Sequence, residues 1–72
     1  MTREEAVSEC RELYRHDGEV CEVREVEGWS SSVSVRKYPA HVGRGTDPVD
    51  KTIATARAWR DIKAQVRARG GI

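Results

Sequence analysis

Between two stretches with the apolar spacing of helices lies a block rich in β-branched residues, Glu19 to Tyr38, broken once by Gly28. That order constrains the fold more than any other feature. A period near 3.6 residues buries a helix stripe and a period of 2 buries one strand face, and neither pattern substitutes for the other. The expectation is a two-layer α+β domain in the order α, β, β, α, with both helices packed on one face of an antiparallel hairpin. It is a single domain over residues 1–72.

The first helix is expected over about residues 3–17. Thr2 followed three positions later by Glu5 forms a capping box, in which the hydroxyl accepts from an orphan amide and the carboxylate reaches back. Ala6, Val7, Cys10, Leu13 and Tyr14 then make one apolar stripe, and Gly18 is read as the left-handed stop. Glu4, Glu5, Glu9 and Glu12 fall outside the stripe and are expected to face water.

The hairpin spans about residues 19–38 and has two competing registers. A two-residue turn at Glu27-Gly28 pairs Val20 with Val35 and Glu22 with Val33. A bulged turn instead pairs Val23 with Val33 and Cys21 with Val35, which gathers four apolar side chains on one face. The bulged register is the expected one, since a one-residue slip exchanges the faces of a strand. It places Val20, Val26 and Tyr38 on the reverse face as a sheet interface, through which a homodimer could form.

Residues 39–46 contain Pro39, Gly43 and Gly45 and read as an ordered loop, with a short extended piece at Ala40 to Val42. Asp47 is then expected to cap a second helix over about 48–69, with Pro48 at its first position and Asp50 where the helix dipole favours negative charge. Val49, Ile53, Ala56, Trp59, Ile62 and Val66 occupy one side of it, with Trp59 central to the core. Gly70 and Gly71 are its expected stop.

A chain of 72 residues buries only about 60% of the surface its unfolded form exposes, so stability should be modest. No apolar run approaches the roughly 18 residues of a membrane span, and the first residues are not those of a signal segment. The expected location is the cytoplasm, with Cys10 and Cys21 as reduced thiols.

Charge is divided unevenly. Residues 1–36 carry nine acids and five bases, whereas residues 37–72 carry three acids and eight bases, within a net charge of +1. Arg57, Arg60, Lys63 and Arg67 form a ridge along the second helix, and four cations in consecutive turns repel one another unless acids or phosphates stand near. With Arg44 in the preceding loop, these are the candidate binding residues. The near-neutral whole and the presence of Asp61 on the same helix favour a protein partner, and nucleic-acid binding through the basic face is the alternative.

Other chemistries find little support in the spacing. Cys10, His16, Cys21 and His41 contain no tight pair of the kind structural zinc sites use, so no metal or cofactor is expected. Ser30 to Ser32 with His41 lack an orienting acid, and no nucleophile elbow is present. Gly43-Arg44-Gly45-Thr46 lacks the lysine of a phosphate-cradling loop and is followed by Asp47 and Asp50. The chain is therefore expected to be non-enzymatic.

The run from Trp29 to Trp59, within a helix, hairpin, helix order, resembles small domains found in phage and mobile-element proteins. Those domains are sandwich-like and of unknown role, so the resemblance assigns no site residue; the expected role, a non-catalytic interaction module of the accessory or inhibitor kind, rests on the charge-complementary surfaces. Double-stranded-RNA-binding domains also place helices at both ends of a sheet, but they have three strands and a basic start to the second helix.

Overall fold

A computed structural model describes residues 1–69. The elements run α1 (Arg3–Arg15), β1 (Glu19–Glu25), β2 (Gly28–Ser34), β3 (Gly43–Asp47) and α2 (Lys51–Ala68). The strands form one antiparallel sheet in the order β1-β2-β3. The result is a small α+β domain, as the sequence pattern implies, with a third strand where a loop was expected. The expected stop at Gly70 and Gly71 lies outside the described residues.

The capping box forms as anticipated. Glu5 N–H donates to Thr2 Oγ1 at 3.1 Å, and Thr2 N–H donates to Glu5 Oε1 at 3.3 Å. At the other end, the left-handed residue is Asp17, with φ of 55°, and not Gly18. Asp17 N–H reaches Tyr14 O and Gly18 N–H reaches Leu13 O, which satisfies two terminal carbonyls. Aspartate tolerates this conformation better than most side chains.

The hairpin register is neither of those expected from sequence. Val20 pairs with Val33, Glu22 with Ser31 and Glu25 with Gly28, leaving Val26 and Glu27 as the turn. Relative to the bulged register, Val33 has changed partner by three residues along β1. An odd shift moves each β1 side chain to the opposite face. Val20 thus lies on the helix side, packed against the core, while Cys21 and the half-exposed Val23 lie outside. Gly28 accounts for the position of the turn. Its φ is +134°, and a Cβ there would run into the backbone of Asp47 and Pro48.

β3 exists because α2 lies against it. On the helix side of Gly43 and Gly45, a Cβ would collide with the α2 backbone at Ala54 and Ala58. Two glycines facing Ala54 and Ala58 bring strand and helix closer than larger side chains allow. The glycines that suggest a loop are in fact a packing surface.

The start of α2 also differs from expectation. Asp47 belongs to β3, and its Oδ2 accepts the N–H groups of Val49 (3.1 Å) and Asp50 (2.8 Å). That turn postpones the helix, so Asp50 becomes the cap, with Oδ1 accepting Thr52 N–H at 2.8 Å. Pro48 and Val49 stand before the helix, and Val49 is exposed.

One core cluster joins Leu13 of α1, Val33 and Val35 of the sheet region, and Ala58, Trp59, Ile62 and Val66 of α2. Trp59 is 2% exposed, and its indole N–H has no hydrogen-bond partner among the described residues. A second, smaller cluster holds Ala6, Cys10 and Ala56, with Ile53 against it. Between helix and sheet runs a polar chain: Ser31 and Thr55 hydroxyls lie 3.0 Å apart, and Thr55 reaches Glu22 Oε1 at 3.1 Å and Lys51 O at 2.9 Å. Among the described residues no helix is long and apolar enough to cross a membrane.

Candidate interaction surfaces

The cations of the α2 ridge do not share one environment. Lys63 Nζ lies 2.9 Å from Glu9 Oε2 and 3.4 Å from Glu12 Oε1. Arg60 contacts Glu9 through Nε at 3.4 Å and Glu5 through Nη2 at 3.5 Å. Glu5, Glu9 and Glu12 sit at helical spacings of four and three residues, so they form one acidic row on α1 facing the basic row on α2. This corrects the expectation that these acids face only water. Opposed rows relieve the repulsion that spacing within α2 alone would create.

Arg57 turns the other way. Its Nη1 donates to Thr46 O at 2.7 Å and to Asp47 Oδ1 at 3.1 Å. Arg44 and Arg67 are exposed, and neither side chain makes an ion pair among the described residues. Of the five cations singled out from sequence, three are therefore engaged within the fold and two remain available.

Three carboxylates, Asp47, Glu5 and Asp50, are acidified. The backbone N–H groups of Asp50 and Val49, aided by Arg57, hold the Asp47 carboxyl below its usual range. Glu5 is lowered chiefly by the Thr2 backbone amide and hydroxyl. For Asp50, burial works upward, but the Thr52 amide and Arg3 outweigh it and the net shift is downward. Arg3 of α1 and Asp50 form an ion pair that ties the beginnings of the two helices together. Burial pushes the Cys10 thiol up, as does the nearby charge of Glu22 and Glu9.

The two sheet edges are treated differently. Along β3, backbone groups facing away from β2 are met by α2 side chains: Arg44 N–H donates to Asp61 Oδ2 at 2.9 Å, and Arg57 donates to Thr46 O. Just before the strand, Gln65 Nε2 donates to Val42 O at 2.9 Å. Three side chains of one helix thus occupy the place of a fourth strand. β1 is the opposite edge, all of its residues except Val20 are exposed, and α1 does not pack along it. Between β1 and α1 runs a groove of about 200 Å³ lined by Val7, Cys10 and Tyr14 of α1, Glu22 of β1, and Thr52 and Thr55 of α2.

The residues proposed from sequence as a sheet interface do not come together. Val20 and Tyr38 pack against the main core cluster, and Val26 projects fully exposed at the hairpin turn. The reverse face instead carries Ser30, Ser32 and Ser34 down the middle strand. Ser31 faces inward to Thr55, and His41 Nδ1 lies 3.1 Å from Gln65 Oε1, so serines and histidine are held apart by separate bonds. Cys10 is buried and Cys21 is exposed, both as free thiols, and among the described residues no group of three His, Cys, Asp or Glu side chains is placed to hold a metal ion. The asymmetric edges are not legible in sequence because β3 has no local strand signature, and the groove is not because it depends on the hairpin register that turns Glu22 to the helix side.

The third strand also removes one of the two distinctions drawn from double-stranded-RNA-binding domains. The other stands: α2 begins with Asp50 as its cap, Asp47 lies just before, and Lys51 is turned towards Glu22 and the Trp29 ring. Comparison with protein-family models, curated proteins and solved structures returned no match.

Proposed function

We propose that this chain is a non-enzymatic protein-binding module of the cytoplasm, an accessory or inhibitor protein of the phage or mobile-element kind. The observation that supports this reading is the disposition of charge. Arg60 and Lys63 of the basic row of α2 are matched by acids of α1 and Arg57 by Asp47, which leaves, among the described residues, only Arg67 of that row to displace counterions from a phosphate backbone. The acids of β1 and its turn, Glu19, Glu25 and Glu27, are exposed at a strand edge that no other strand covers among the described residues. Exposed main chain flanked by acidic side chains suits a protein partner and repels nucleic acid.

Titration of the intact chain with labelled duplex RNA, duplex DNA and a single strand, at low and physiological salt, tests the reading. The expected result is no saturable binding at micromolar protein. Tight binding whose affinity falls steeply with salt, and which is lost in Arg44→Glu/Arg67→Glu, would reverse the assignment in favour of nucleic acid.

A further inference from the structure

An unprotected strand edge is rare in stable domains because it templates pairing with other chains. This fold protects one edge elaborately: Asp61, Arg57 and Gln65 of α2 satisfy the outward backbone of β3 and Val42. Among the described residues no side chain meets the outward backbone of β1 in this way, and its seven residues form the other edge of the sheet.

We infer that the β1 edge is a docking site for an extended, basic and apolar segment of a partner protein, added as a fourth strand beside α1. This deepens the protein-binding reading and rests on it. Pairing through main chain supplies affinity, and alternate side chains supply selectivity.

The side chains of β1 define what the incoming strand must carry. On the outer face they run Glu19, Cys21, Val23 and Glu25, a pair of apolar groups between two acids. A strand beside them is best matched by bases at its ends and β-branched residues between. On the helix side stand Val20, Glu22 and Arg24, of which Arg24 is already engaged over the Trp29 ring at 5.3 Å. Opposite Glu22 a further base is favoured. Apolar side chains on that face would enter the groove beside Val7, Cys10 and the exposed ring of Tyr14.

Charge also argues against a second copy of β1 as the occupant. The acids stand at positions 19, 22 and 25, spaced evenly about Glu22. In-register pairing of two β1 strands, parallel or antiparallel, sets every acid against another acid. Like charges directly opposite destabilise a ladder. The edge is guarded against itself while remaining open to a strand of opposite sign.

The test uses the intact chain and a synthetic heptapeptide, lysine-threonine-valine-lysine-valine-leucine-lysine, with blocked ends. Amide NMR shifts should move along Glu19 to Glu25 and at Val7 and Tyr14, with new exchange protection at β1 amides. Methylating alternate peptide nitrogens on the pairing side should abolish binding although charge and composition barely change. Glu19→Lys/Glu25→Lys should weaken binding at least about tenfold, and Arg67→Glu should leave it unchanged. Equal binding of the methylated peptide would show charge adsorption without strand addition and overturn the inference. So would shifts confined to other surfaces, an absence of binding, or dimerisation through β1 with no response to peptide. Those failures would bear on the strand edge alone, because the nucleic-acid titration tests the broader reading separately.

Discussion

Lys63 Nζ of α2 sits 2.9 Å from Glu9 Oε2 of α1, with both side chains largely covered by their neighbours. The same lysine lies over the Trp59 ring, 5.4 Å from its centroid. One cation therefore joins the two helices and closes one side of the core. Lys63→Glu would add a carboxylate to a site that already holds Glu9 and Glu12. A loss of about 2 kcal/mol is expected, whereas Arg67→Glu, exposed and unpaired among the described residues, should change stability by less than about 0.5 kcal/mol. Urea melts of the two variants against the parent check the contrast.

Trp59 combines deep burial with an indole N–H that has no partner among the described residues. Truncation to alanine should cost about 3 to 5 kcal/mol, comparable with the whole stability of a domain this small. Trp59→Phe should cost far less than that, because it removes the unsatisfied donor together with part of the ring, and an unmade buried hydrogen bond is itself worth about 1 to 3 kcal/mol. Thermal unfolding followed by far-ultraviolet circular dichroism separates the two outcomes.

Gly45→Ala should destabilise by about 1 to 3 kcal/mol although it adds only a methyl group, since that methyl would meet the α2 backbone at Ala54 and Ala58. An exposed-loop glycine would respond oppositely or not at all. A stability measurement on this variant thus reports whether β3 lies tight against the helix.

Acid should weaken the fold in a defined window. Asp47 and Glu5 have folded pKa values below those of the unfolded chain, so their stabilisation is complete above about pH 5 and fades as pH falls through the folded values. The melting temperature should be nearly flat from pH 7 to about pH 5 and fall below that. Asp47→Asn should show a shallower acid fall than the parent, because it removes one of the groups that must be protonated; an unchanged profile would assign the acid sensitivity elsewhere.

The elements that were legible in sequence are those whose determinants lie within a few residues of one another. Thr2 and Glu5 specify the start of α1, and Ile53, Ala56, Trp59, Ile62 and Val66 specify the inward side of α2, because caps and helical stripes are local in the chain. The candidate site was less legible. Arg57, Arg60 and Lys63 were visible as a basic row, but their partners Asp47, Glu5 and Glu9 are up to 55 positions away. Only the packing of α1 against α2 shows that much of the row is already neutralised.

The sequence by itself determined two amphipathic helices flanking a strand-forming block, through side-chain periodicity and capping chemistry. Tertiary structure decided the rest. Gly43-Arg44-Gly45-Thr46-Asp47 has no local strand signature and becomes β3 only because its glycines admit the α2 backbone, whose side chains then cover its edge. The hairpin slid away from the register that gathers the most valines, because Gly28 must pass beneath Asp47 and Pro48 and because Ser31 and Glu22 meet Thr55. Strand pairing and face selection depend on contacts distant in sequence, and their energies arise only once the layers are packed together.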